Sequence, residues 1–416
     1  MNETRYPTVI LGGGFVGLFA ALHLHHQRYS VPTLLIDRAW NFTFKPLLYE
    51  FLSGEMNDRL IRIRYDDLLK HTGIAFVKDE IVQIDLQQQQ IYLASGLHYR
   101  YENLVLALGS VTNYLNVPGA QDNTIAFRTD WDAMTLGQHL RDRLQQASQT
   151  QDPDLRRQML TVAILGAGRS GVELAGTLAD LLPEWYAPLG GTVAEIRLTI
   201  VQRGQDILKG DPEQLRNVAE VALQHRAIPV EFRLESEVKS VRAGEIELLR
   251  HDRVETLTAG TIIWTTGTTP HPLIKTLPIP NEHRDRAARL HVTPTLQLPD
   301  FLNVFAAGDC VTNPEHPLPA IAQVAYQQGA AIAHNLQALA ENRSLIPAKV
   351  QLRGTLMKLG LAESVAEIFD RVEVKGNLGH LLRQATYIEM LPTPARNFKA
   401  TAEWLSDGVF DRITGT

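Results

Sequence analysis

Hydrophobic positions along the chain gather in short runs that alternate with stretches of helical spacing. The first run is Val9 to Leu11. A glycine cluster closes it, and Val16, Phe19, Ala20 and Leu24 follow at the spacing of one helix face; a second apolar run, TLLID, ends at Asp37. This order predicts strand, tight turn, helix, strand. The pattern returns from Thr161 in TVAILGAGRSGVELAGTLADLL, followed by IRLTIVQR, so an internal duplication is the main organisational signal. Further strand-like runs cover Leu104–Leu108, Thr261–Thr265 and Asn303–Ala306, each reaching a glycine within a few residues: Gly109, Gly267 and Gly308. Polar stretches at 146–158 and 279–288 read as linkers, and Gln87 to Gln90 as a hairpin turn. Beyond residue 346 the chain alternates strand-like RVEVKG with helical LGHLLRQATYIEML and NFKATAEWLSDGVF.

Composition changes this picture mainly by exclusion. A chain of 416 residues, 44% hydrophobic and 21% charged, has room for two or three folded domains. The net charge of −6 speaks against nucleic acid as a main partner, because phosphate binding wants a basic face. The single cysteine, Cys310, excludes an internal disulfide, a Cys-x-x-Cys redox pair and a thiolate zinc site. Redox chemistry in this chain would therefore run through a bound cofactor. His23, His25 and His26 read as the exposed side of the first helix, and no metal site is expected. No apolar run reaches the roughly 18 residues of a spanning helix. No secretory or transit pattern is visible, so an intracellular protein is expected.

Gly12, Gly14 and Gly17 form G-x-G-x-x-G directly after a strand and at the start of a helix. The first glycine permits the turn, the second lets the backbone approach a pyrophosphate, and the third allows close packing of helix on strand. Asp37, about 20 residues further on, can accept hydrogen bonds from a ribose diol. Gly166, Gly168 and Gly171 repeat the pattern, but the strand that follows ends in Gln202 and Arg203. Gln202 would not repel a 2′-phosphate and Arg203 can pair with one, so this site is expected to take NADPH at least as well as NADH. The alternative is that Arg203 is simply solvated. Two such sites on one chain mean two dinucleotides.

The sequence FAAGDC, ending at Cys310, resembles the late flavin motif of two-dinucleotide flavoproteins, in which the aspartate, here Asp309, contacts the flavin's ribityl–pyrophosphate region. That resemblance makes the first site the FAD site and the second the NAD(P)H site. It implies an α/β fold with two Rossmann-like domains, the NAD(P)H domain inserted in the FAD domain, plus a C-terminal α+β segment. The expected boundaries are 1–150 and 279–345 for the FAD domain, 151–278 for the NAD(P)H domain and 346–416 for a membrane-association or dimer segment.

GGGFVGL, DRAWNFTFKPLLYE, NLVLALGS, LGAGRSGVELAG, IIWTTG, VFAAGD and AQVAYQQG together resemble the type II NAD(P)H:quinone oxidoreductases. Disulfide reductases and sulfide:quinone reductases need cysteines that this chain lacks. FKPLLYEFLSGEM and the stretch from KLGLAES to IEMLPTP resemble the cyanobacterial and plastid branch, which reduces demethylphylloquinone in phylloquinone biosynthesis. The resemblance implies hydride transfer from NADPH to FAD, then two-electron reduction of a prenylated or phytylated naphthoquinone. It places Glu173 and Gln323 at the quinone reaction, Tyr326 beside them as an aromatic face, and Lys45 near the flavin ring, where it would stabilise negative charge. It also places Arg38, Ile81, Gly109 and Gln323 at FAD, and Glu173 and Gly267 at NAD(P)H. The alternatives are structural: Glu173 as a helix N-terminal carboxylate, Gln323 as a satisfied core residue, and Lys45 as a snorkelling surface lysine. Phe44, Pro46, Leu47, Leu48 and Tyr49 either wall the flavin ring or form an ordinary buried segment.

A lipid-borne quinone implies a peripheral membrane protein, on the cytoplasmic side of a thylakoid or plasma membrane in a cyanobacterium. In the last helical stretch, Phe398, Ala402, Leu405 and Val409 share a face that can lie on a bilayer or pack on protein. A homodimer is left open. Two other functions compete: a respiratory-type NADH:plastoquinone dehydrogenase, and a slow-turnover flavin redox sensor.

Overall fold

The computed structural model describes residues 6–392, apart from 57, 353, 362, 369–371 and 375. The amphipathic stretch with Phe398 to Val409 lies outside the described residues. The chain forms two units, each assembled from three stretches. The first takes Met1–Thr43, Arg62–Val111 and Thr268–Leu352; the second takes Phe44–Ile61, Thr112–Gly267 and Arg353–Thr416.

The helices that matter below are α1 (Phe15–His26), α2 (Leu48–Ser53), α3 (Asp130–Gln149), α4 (Arg169–Tyr186), α5 (Ala322–Ala340) and α6 (Gly376–Glu389). The strands are β1 (Thr8–Leu11), β2 (Thr33–Asp37), β3 (Asn103–Leu106), β4 (Thr161–Leu165), β5 (Arg197–Val201), β6 (Thr261–Trp264), β7 (Phe301–Ala306) and β8 (Thr355–Lys358).

In the first unit, β1 lies in a six-stranded sheet between β2 and β3, both parallel to it, with β7 beyond β3 and Ala75–Lys78 beyond β2. Every residue of β1 and β3 is buried. Strands of a parallel sheet are covered on both faces, which is why they read as continuous apolar runs without alternation. α1 is buried nearly all round because it packs against α5 as well as against β1 and β2.

The second unit repeats this plan. β4 lies between β5 and β6 in a five-stranded parallel sheet, with Val230–Arg233 beyond β5. The repeat runs further than the sequence showed. In each unit the edge strand of the sheet, Ala75–Lys78 or Val230–Arg233, leads into a three-stranded antiparallel meander, at 81–100 in the first and 236–258 in the second. The chain then returns to the sheet beside the opening strand, as β3 or β6. Meander residues are largely exposed and carry no glycine signature, so the duplication there is legible only in three dimensions.

Residues 44–61 and 112–150, read from the sequence with the first domain, pack in the second unit. The apolar faces of α2 and α3 meet each other and α4, and Leu48, Tyr49, Leu52, Leu136 and Leu140 join one core with Val172, Leu174 and Leu178. The described part of the C-terminal segment is α+β, as expected. β8 pairs antiparallel with Ser364–Ile368, which pairs with Val372–Val374, and α6 packs on this sheet.

Candidate functional site

Both G-x-G-x-x-G loops lie at the carboxyl end of the central strand of their sheet, between neighbours reached in opposite directions. In open α/β sheets this is the crevice where ligands bind. In the first loop, Gly12 has φ +94°, and a Cβ there would stand 2.5 Å from Ala107 O. At Gly17 a Cβ would stand 1.9 Å from Gly12 O, whereas at Gly14 it would meet nothing within 4 Å. The three glycines thus serve turn, helix packing and open approach respectively. Gly168 has the same open side, and a Cβ on Gly171 would stand 1.9 Å from Gly166 O.

Neither α1 nor α4 has a side-chain cap or an acidic residue in its first turn. α3, by contrast, is closed by a capping box between Thr129 and Asp132. Uncapped N–H groups at an open glycine suit an anionic phosphate, so both loops fit a dinucleotide pyrophosphate.

Asp37 does more than face a ligand. Its Oδ2 accepts from Gly13 N at 2.6 Å and its Oδ1 from Ala39 N at 2.7 Å, so it also holds its own loop. Each oxygen has a further lone pair for a ribose hydroxyl. Gln202 stands in the equivalent place: its Oε1 faces Ala167 N at 3.5 Å, and Ala167 occupies the position of Gly13. Glutamine keeps the acceptor and drops the charge. Arg203 beside it is exposed and makes no ion pair among the described residues. Gly267 has φ +75° and lies against Asn113 O.

Tyr65 was not anticipated. Its buried hydroxyl donates to Gly13 O at 2.9 Å and bolts the first loop from below. Burial, with the Asp37 carboxylate nearby, raises its pKa well above the ordinary phenol value, so it stays a donor. Arg38 is exposed, and Ile81 opens the first meander. Gly109 has φ +64°.

Asp309, in the short turn after β7, accepts from Ser110 Oγ at 2.6 Å, and Gly308 N donates to Gln328 Oε1 of α5 at 2.9 Å. Gly308, Asp309 and Gln328 line a cleft of the first unit with Arg289, His316 and Ile321. Gln323 and Tyr326 are half-buried on α5, and the Tyr326 ring lies 5.6 Å from that of Phe19. Cys310 is buried, and burial pushes its thiol up to about 12, far from a reactive thiolate.

In the second unit Lys45 is exposed at the head of a 3₁₀ turn, while Glu173 is half-buried in the second turn of α4. Glu173 does not act as a helix cap. Its Oε1 accepts from Lys358 N at 2.9 Å, and its carboxyl lies near the Tyr49 hydroxyl. Burial raises its pKa above the ordinary carboxylate value. Around it lies a buried ion network. Glu50, Lys358 and Arg383 are each fully buried; Glu50 Oε1 takes Lys358 Nζ at 3.2 Å and Arg383 Nη1, and Lys358 Nζ also pairs with Glu55. The Arg383 guanidinium sits over the Tyr387 ring at 4.8 Å. Burial alone would raise Glu50, but Arg383 and Lys358 outweigh it and hold the carboxyl at about 2. The sequence does carry a signal for this cluster: lone charges in otherwise apolar strings, LLYEFL and TLMKLGL. Their partners are some 300 residues away along the chain, and nothing local pairs them.

The first-unit residues Gly12, Gly14, Gly17 and Asp37 come together, as do Gly166, Gly168, Gly171 and Gln202 in the second. The apolar run Phe44 to Tyr49 is largely core: Leu47 and Leu48 are buried, Tyr49 packs on Phe127 and Phe44 on Tyr387.

A doubly wound sheet with a pyrophosphate loop, present twice, defines a two-dinucleotide flavoprotein oxidoreductase. The sequence pattern of the pyridine nucleotide-disulphide oxidoreductases matches residues 6–329. The chain is 31% identical to the demethylphylloquinone reductase NdbB of Synechocystis sp., over 98% of this chain and 97% of that protein. It is 30% identical to the alternative NAD(P)H-ubiquinone oxidoreductase C1 of Arabidopsis thaliana, over 99% of this chain and 83% of that one. The structure of NDH2 from Plasmodium falciparum in complex with NADH superposes with a TM-score of 0.84 at 19% identity, covering 96% and 98% of the two chains. The chain belongs to the pyridine nucleotide-disulphide oxidoreductases, in their type II NAD(P)H:quinone oxidoreductase group. That family implies FAD and NAD(P)H. No helix among the described residues is long and apolar enough to cross a membrane.

Proposed function

We propose that this protein is an NADPH-dependent reductase of a membrane naphthoquinone, demethylphylloquinone in phylloquinone biosynthesis. The observation that carries the reading is the similarity to a demethylphylloquinone reductase along almost the whole of both chains. Gln202 supports the choice of nucleotide. A carboxylate at that position would repel a 2′-phosphate, and a neutral amide beside an unpaired, exposed Arg203 would accept one.

The flavin, when bound, supplies the two-electron chemistry, taking hydride from the nicotinamide and reducing the quinone. The chain supplies position and charge. The Gly12–Gly17 loop and the free N–H groups of α1 hold the FAD pyrophosphate, and Asp37 holds its ribose. Asp309, fixed by Ser110, meets the ribityl–pyrophosphate region, with Arg38, Ile81 and Gly109 along the same cofactor. The Gly166–Gly171 loop, Gln202, Arg203 and Gly267 hold NADPH. Lys45 sets a positive charge beside the flavin ring. Glu173, whose burial favours the protonated carboxyl, supplies a proton to the quinone; Gln323 receives a quinone carbonyl, with Tyr326 as an aromatic wall. The quinone is lipid-borne, so the protein works at a membrane surface.

Steady-state oxidation of NADPH and NADH by the FAD-loaded protein tests this, with a short-chain demethylnaphthoquinone and a plastoquinone analogue as acceptors. Higher kcat/KM for NADPH with the naphthoquinone is expected. Preference for NADH with the plastoquinone analogue would overturn the biosynthetic reading in favour of a respiratory-type dehydrogenase. Negligible turnover with both would point to a redox sensor.

A further inference from the structure

Lys45 and Glu173 sit on different elements of the second unit, and one buried ion network reaches both. Arg383 Nη2 donates to Pro46 O at 3.0 Å, pinning the 3₁₀ turn that carries Lys45. Lys358 donates its backbone N–H to Glu173, and the Tyr49 hydroxyl lies near the same carboxyl. Glu50 is the junction, because one of its oxygens takes both Lys358 Nζ and Arg383 Nη1. The charged and titratable groups acting on Glu173 come from three elements: Tyr49 and Glu50 of α2, the Lys358 backbone of β8, and Arg383 and Tyr387 of α6. Glu55 and His380 complete the set around Lys358 and Glu50. Charges as close and as buried as Glu50, Lys358 and Arg383 act on one another far more strongly than they would at the surface.

We propose that Glu50 and Arg383 are positioning residues, an opposed charge pair behind Glu173 that sets how firmly its carboxyl holds a proton and fixes the turn carrying Lys45. The two act with opposite sign. The Glu50 anion favours a protonated Glu173; the Arg383 cation favours an ionised one. Loss of either therefore shifts Glu173 in a known direction, with the Arg383 effect the larger of the two. The kinetic consequence rests on the quinone-side reading of Glu173; the titration does not.

The test is infrared titration of the FAD-loaded protein, following the carboxylic acid absorption that disappears in Glu173→Gln. In Glu50→Gln the midpoint moves down by about half a pH unit or more, and in Arg383→Met it moves up by the larger amount, about one unit or more, because Arg383 acts on Glu173 more strongly than Glu50 does. In the double variant Glu50→Gln/Arg383→Met, where both charges are gone, it lies between the midpoints of the two single variants. A structural role alone would not produce that pattern of opposite and offsetting shifts. Midpoints that stay put, or move the same way in both single variants, overturn the proposal. Should Glu50→Gln fail to fold, Arg383→Met and the double variant decide: a rise that the second change partly reverses supports the pair, and equal midpoints overturn it. Separately, wild-type quinone turnover by Glu173→Gln would remove Glu173 from the reaction and leave the infrared result to judge the pair.

Discussion

Gly14 and Gly17 carry the same letter in one motif and do different work. A side chain at Gly17 would collide with the Gly12 carbonyl, while one at Gly14 enters open space. Gly17→Ala is therefore expected to cost about 2–4 kcal/mol of stability and to lose bound flavin. Gly14→Ala, at a backbone angle that alanine adopts freely, is expected to keep Tm within about 2 °C and weaken only flavin binding. Thermal melting and a flavin titration of both variants check this. Tyr65→Phe removes one buried hydrogen bond to the loop and should cost about 1 kcal/mol, read by denaturant unfolding. In the second loop, Gln202→Glu with Arg203→Ala is expected to lower the NADPH/NADH ratio of kcat/KM by about tenfold or more. An unchanged ratio would return Arg203 to the solvent.

Packing of α2, β8 and α6 around buried ions gives the element scale its own signature. Lys358 is fully enclosed between Glu50 and Glu55, so Lys358→Met leaves a buried carboxylate short of a cation and should destabilise by about 3–5 kcal/mol. The same network predicts a pH dependence. Glu50 titrates at about 2 in the folded chain, below the ordinary value of 4.5. A depressed carboxylate contributes stability that is present above its unfolded pKa and lost as pH falls through the folded one, so the window runs from 4.5 down to about 2. Glu55 and Glu173 are raised instead, first by burial, and their contribution declines as pH rises above the ordinary carboxylate value. The two effects therefore fall in different ranges. Urea unfolding at stepped acid pH should show a loss in the parent below 4.5 that the neutral double variant Glu50→Gln/Arg383→Met does not share.

At the scale of the whole molecule, the open question is contact with lipid. Residues 396–416 hold the amphipathic stretch with Phe398, Ala402, Leu405 and Val409. Their deletion is expected to lower sedimentation with liposomes while leaving reduction of a water-soluble quinone in place. Liposome binding unchanged by the deletion would assign that stretch to protein packing instead.

Both dinucleotide loops, their flanking strands and helices, and the α/β class were readable along the chain. They depend on local periodicity and on glycines whose requirement is steric: Gly17 and Gly171 meet backbone of their own motif, and Gly12 and Gly166 meet the segment just beyond the neighbouring strand. The assignment of 44–61 and 112–150 to the second unit was not readable, because the apolar faces of α2 and α3 do not name the helix that covers them. Nor was the meander repeat, whose short, largely exposed strands carry no glycine motif, although a few apolar residues such as Ile91 and Ile246 are buried. The network of Glu50, Lys358 and Arg383 belongs wholly to the tertiary structure. Glu50 and Lys358 stand in apolar strings that mark them as buried, but ion pairing acts through space, and only the fold brings residues 50, 358 and 383 within hydrogen-bonding reach.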